Sequence, residues 1–133
     1  MNAKAETAKS DGMAVQWSVD HSRKRVEVAI EGEVTIEEAT KFLDFLEAEK
    51  AIPYGKLFDA TNSIAKINNQ IMAAVGQRIA TFQNPGPISI VLPARGMTGH
   101  AKLFLLAVDA DNRARMFNTR EEAVAWLDSI KLP

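Results

Sequence analysis

Residues 56–79, KLFDATNSIAKINNQIMAAVGQRI, constrain the fold more than any other stretch of this chain. A short apolar strand ends in a polar loop and gives way to an amphipathic helix. Such a succession belongs to layered α/β architecture, in which ligands and partners gather at the carboxyl ends of the strands. The loop is rich in hydroxyl, carboxyl and amide side chains, at Asp59, Thr61, Asn62, Ser63, Asn68 and Asn69, with Gln70 following. It holds no cysteine, no histidine and no glycine-rich phosphate fingerprint. The junction therefore predicts a binding surface rather than a reaction centre.

The flanking sequence supplies the rest of the fold. Val15, Trp17 and Val19 alternate with Gln16 and Ser18, and Val26, Val28 and Ile30 repeat the alternation, which predicts two strands joined by DHSRK as a hairpin. Gly32 ends the second. Thr35 with Glu38 three residues on is a capping box, in which each side chain satisfies a free backbone N–H of the other's residue. The helix it opens has Ile36, Ala39, Phe42, Leu43 and Leu46 on its apolar stripe and Glu37, Lys41, Asp44 and Glu47 facing water. Pro53 forbids extension far beyond Lys50.

Residues 56–58 then form a third strand that Asp59 closes. A second helix is expected over 68–82, with Ile71, Val75 and Ile79 stacked at four-residue intervals and Gln70, Gln77 and Arg78 free to face solvent, until NPGP stops it. The β-branched run ISIVL at 88–92 predicts a strand covered on both faces at the centre of the sheet. KLFLLAV at 102–108 predicts a third helix, largely buried. A fifth strand is expected over 114–117, followed by a second capping box, Thr119 with Glu122, and a helix with Ala123, Trp126, Leu127 and Ile130 inward. The order ββαβαβαβα defines an α/β fold, a mixed five-stranded sheet with about four helices, because right-handed crossovers require mostly parallel pairing after the hairpin.

Length and charge narrow the function classes. The 133 residues fit one domain, able to bury roughly 70% of its unfolded surface without staples. Residues 1–13 are polar and read as a flexible tail or a partner-binding arm, leaving 14–133 as a single domain. Sixteen basic and seventeen acidic side chains give a net charge of -1, so no overall positive field draws the chain to nucleic acid or an anionic membrane. Zero cysteines exclude disulfides and thiolate chemistry, and His21 and His100 lack the spacing of a ligand pair, so neither a metal nor a cofactor is expected. The opening MNAKAETAKSDG has no apolar signal core and no window approaches a membrane span, which gives a cytoplasmic expectation.

The order of elements, the GEVTIEEATKFLDFLE segment, the KLFDAT strand end and the closing FNTREEAVAWL together resemble STAS-like domains, the group that includes the bacterial anti-sigma-factor antagonists. The likeness covers about residues 14–131 and is nearest to a single-domain bacterial branch in which a strand ending like RMFNT leads into EEAVAWL. It implies a non-enzymatic regulatory module that binds a protein partner through Asp59, Thr61, Asn62, Ser63, Asn68, Asn69 and Gln70. In the classical antagonists a serine at the start of the second helix is phosphorylated to control partner exchange. Here IAKINNQIMAAV offers Asn68 and Asn69 where the family has an aspartate followed by serines. Asparagine takes no phosphate from a serine kinase, and Thr61 and Ser63 are the nearest hydroxyls. Some STAS-like sequences also resemble lipid-carrier domains of the CRAL-TRIO type, which gives the alternative: a carrier or sensor of a small anionic or lipid-like ligand.

The second candidate site is PARGMTGH at 93–100, where a strand gives way to a helix. Free backbone N–H groups at such a junction can face an anion. Arg95, Gly96, Thr98 and His100 would line it, although the spacing matches neither a Walker loop nor a dinucleotide fingerprint. His100 with Asp59 is the sole support for an enzymatic reading. Asp109 and Asp111 lack the glycine and terminal glutamate of a calcium loop. Arg23, Lys24 and Arg25 form a short basic cluster beside His21 on the hairpin turn. A homodimer through the hairpin edge is compatible with the sequence, as is a tail that covers that edge.

Overall fold

The computed structural model describes residues 6–8, 15–31, 34–61, 69–92 and 114–131, with backbone only at 6–8, 69 and 72. Six strands form one sheet in sequential order: β1 (Glu6–Ala8), β2 (Val15–Asp20), β3 (Arg25–Ile30), β4 (Gly55–Asp59), β5 (Ile88–Val91) and β6 (Ala114–Phe117). β1–β2 and β2–β3 are antiparallel and the remaining pairs parallel. Three helices, α1 (Ile36–Ala48), α2 (Asn69–Thr81) and α3 (Arg120–Asp128), complete the described fold. The α/β class and the five expected strands are present, and the helix expected over 102–108 lies outside the described residues.

Residues 6–8, within the segment expected to be a tail, form the strand β1 at the hairpin edge. Glu6, Thr7 and Ala8 pair with Val19, Ser18 and Trp17 and cover part of the hairpin's outer edge. Edge pairing is made by backbone N–H and C=O groups, so a polar ETA segment can join a sheet without an apolar face of its own.

Period-two alternation divides the core between the two sheet faces. Val15, Trp17, Val19, Val26, Val28, Phe58, Ile88 and Ile90 face α1 and α2, meeting Ala39, Phe42, Leu43, Leu46 and Ile79. Trp17, Phe42 and Phe58 run through this layer with successive centroid spacings of 5.4 and 5.8 Å. Leu57 and Val91 point the other way, onto Ala123 and Leu127 of α3. Burying each such leucine or valine contributes about 1.5–3 kcal/mol.

α3 packs on β4 and β5, and that explains the fully buried ISIV run. β5 is covered on both faces as expected, but it lies beside the edge strand β6, not at the sheet centre. A helix on each side buries a strand whatever its rank in the sheet.

Local signals set the helix starts. The Thr35–Glu38 capping box is complete, and the Glu38 carboxylate also accepts from Val15 N at 3.1 Å, so one buried carboxylate ties α1 to the start of β2. At α3 the Thr119 hydroxyl accepts from Glu122 N at 3.2 Å and donates to the Glu122 carboxylate at 3.1 Å. Ile36 departs from the expected stripe and is 50% exposed. Helical side chains lean toward the amino terminus, so the first residue of α1 projects past the sheet it would otherwise cover.

The hairpin turn and the amino-terminal ends of the parallel strands form one pole of the molecule. Asp20 Oδ1 accepts from the Ser22 hydroxyl at 2.7 Å and from the Ser22 and Arg23 N–H groups, which holds its carboxyl below the usual range. Arg25 does not join an outward basic cluster: it is buried and donates to Asp128. Beside it Lys56 is fully buried, its ammonium donating to the carbonyls of Ile52, Tyr54 and Pro85. Gly86 closes this clamp at φ +75, where a Cβ would lie 2.5 Å from Tyr54 O.

Candidate functional site

Asp59 and Thr61 meet at the carboxyl end of β4. Asp59 Oδ1 accepts from Thr61 N at 3.0 Å and from the Thr61 hydroxyl, a side-chain-closed turn that fixes the first step of the polar loop. Asn62, Ser63 and Asn68 lie outside the described residues. Asn69 is the first residue of α2, and Gln70 is exposed on its first turn. The second candidate set, Arg95, Gly96, Thr98 and His100, lies wholly outside the described residues, and so does the pairing of His100 with Asp59.

The exposed side of α2 is narrower than its sequence suggests. Gln77 is exposed, but Arg78 donates to Asp44 at 2.7 Å and to Glu47 at 2.5 Å, pinning α2 to α1. Hydrogen bonds to Asp44 and then Glu47 hold its guanidinium still more firmly protonated than usual. The group also stands 5.9 Å from the Phe82 ring centroid.

Arg120, at the start of α3, was not singled out by its sequence. It donates to Glu27 at 2.5 Å and has a second nitrogen 3.8 Å from Asp59 Oδ2. Asp59 therefore divides its two oxygens between the loop and α3. The groove beside Arg120, ≈ 210 Å³ and open to solvent, is lined by Gln16, Ser18, Glu27, Ala29 and Asp59. Its floor is the part of the sheet face beside α3 that carries Gln16, Ser18 and Glu27. The polar positions of the alternation, 16, 18 and 27, are the sequence signal for that face; nothing local marks Arg120.

A second cavity, ≈ 50 Å³, lies between the sheet and the two helices on its other side, walled by Val15, Val28, Ile30, Val34, Ala39, Phe42, Phe58 and Val75. It has room for about one or two waters and is apolar throughout. Among the described residues, no three His, Asp or Glu side chains converge as a metal site, and no helix is long and apolar enough to cross a membrane.

Among the described residues the fold and this surface define an α/β sheet with a polar turn at the carboxyl end of a parallel strand. No protein-family model matches the chain, and no curated protein matches it significantly.

Proposed function

We propose that the chain is a non-enzymatic, cytoplasmic STAS-like module that binds a protein partner through the end of β4, the loop beyond it and the exposed side of α2. The Asp59–Thr61 turn carries this reading, because a polar element held by its own hydrogen bonds presents a surface that loses little entropy on binding. The hairpin followed by parallel strands with intervening helices supports the STAS resemblance. So does the start of α2 at Asn69, where that resemblance puts the phosphoacceptor serine. An asparagine there leaves partner binding without the usual phosphoserine control. The carrier reading rests on residues 93–100, outside the described residues; the apolar cavity walled by described residues, ≈ 50 Å³, is itself far below the ~300 Å³ at which ligand sites begin.

The test starts with the partner recovered by gentle affinity purification from the source organism and then purified. Thr61→Arg and Gln70→Arg should each weaken its binding at least about tenfold, roughly 1.4 kcal/mol. Gln83→Arg, exposed just beyond the far end of α2, should leave it unchanged. Equal affinities across the three variants would contradict the assignment of this surface.

A further inference from the structure

At the opposite ends of the strands from Asp59, three side chains, one from the hairpin turn and two from the connection between α1 and β4, form a hydrogen-bonded series. His21 Nε2 lies 3.0 Å from Glu49 Oε1 just beyond α1, and His21 Nδ1 lies 2.9 Å from the Tyr54 hydroxyl. A carboxylate only accepts, so the ring hydrogen sits on Nε2; in the neutral imidazole Nδ1 is then a lone pair, and the Tyr54 hydroxyl donates to it. A hydroxyl on a base whose other nitrogen is oriented by a carboxylate is the arrangement that activates hydroxyl nucleophiles.

The tyrosine is also well placed. Its N–H donates to Ala51 O at 3.0 Å and its carbonyl accepts from the Lys56 ammonium at 2.9 Å. Its ring meets the imidazole edge-on at 5.7 Å and 78°. Tyr54 is half-buried, packed against the core on one side, and beside it the His21 side chain is 41% and the Glu49 side chain 29% exposed.

We propose that Tyr54 is a covalent acceptor site, an activated phenol that takes an acyl group from an activated acyl donor. The Tyr54 oxygen attacks the donor's carbonyl carbon while its proton passes to His21 Nδ1. The bond from that carbon to the leaving group breaks, and the leaving group departs with the electron pair and collects the proton. The product is an O-acyl tyrosine, with no change of oxidation state. His21 is the general base and Glu49 a positioning residue that fixes the ring tautomer.

Tyr54 is the single tyrosine of the chain, so the reaction can be read directly. Treating the folded, full chain with N-acetylimidazole near neutral pH and mapping the adducts by mass spectrometry gives the rate, with hydroxylamine removing O-acetyl tyrosine but not N-acetyl lysine. The expected rate at Tyr54 is at least about tenfold that of N-acetyltyrosinamide, a modest share of what general-base assistance supplies. His21→Gln should bring it down to the model phenol. Glu49→Gln should give an intermediate rate with an altered pH profile, and Tyr54→Phe no hydroxylamine-sensitive adduct. A wild-type rate no faster than the model phenol would overturn the proposal, and that comparison needs no variant to fold. An unchanged rate in folded His21→Gln would overturn it equally.

Discussion

The Arg25 guanidinium donates to Asp128 Oδ1 at 2.6 Å, joining the first residue of β3 to the last residue of α3. The contact fixes the end of the helix that covers β4 and β5. The Arg25 side chain is 10% exposed and the Asp128 side chain 50%, so the pair stands between the weak surface case and the buried one. Asp128→Ala should cost about 1–2 kcal/mol, and a double-mutant cycle with Arg25→Met should show about 1 kcal/mol of coupling in urea unfolding. Additive single-mutant effects would mean that the bond does not hold α3.

Glu38 should be among the most sensitive polar positions. It is 5% exposed and accepts from Val15 N at 3.1 Å, Thr35 N at 3.2 Å and the Thr35 hydroxyl at 3.2 Å. Glu38→Ala removes half of a capping box and leaves the buried Val15 N–H unpaired, for a loss of about 2–3 kcal/mol. Glu38→Gln retains an acceptor oxygen and should lose about 1 kcal/mol. Chemical denaturation of both variants checks the order.

Lys56 makes stability depend on alkaline pH. Burial pushes its pKa down from 10.5 to about 7, so between those values the unfolded chain holds more protons than the folded one. Stability therefore rises with pH through that window, and the gain is lost as pH falls toward 7. The ceiling is about 1.4 kcal/mol per pH unit, and the three carbonyl acceptors, which favour the ammonium, set the slope below it. Lys56→Met leaves those carbonyls without their donor, at about 1–3 kcal/mol each, and should lack the rise. Urea curves for both proteins at about pH 7 and about pH 9 test the slope; equal slopes would contradict the linkage.

Much of the fold was legible because its signals are local. The alternation at 15–19 and 26–30, the Thr35–Glu38 box and the four-residue spacing of Ile71, Val75 and Ile79 each report a backbone period directly. β1 left no such mark, because strand pairing at an edge needs only backbone groups and ETA has no apolar alternation. The rank of β5, beside the edge strand, is not legible, because a buried strand looks the same wherever helices cover both faces. At the site, Asp59 and Thr61 were legible as neighbours in a polar loop. Arg120 was not, since its contact with Glu27 crosses 93 residues and its other neighbour, Asp59, stands on a different strand. Arg25 likewise read as part of a solvated cluster until its partner, 103 residues away, drew it inward.

The measurement that tests the partner-binding claim most directly is site-specific photo-crosslinking in the source organism. A benzophenone amino acid would be placed at Thr61, Gln70 or Gln83, one at a time. The account predicts one discrete protein adduct of the same identity from Thr61 and Gln70 and none from Gln83. An adduct from Gln83 alone, or none from any of the three, would contradict it.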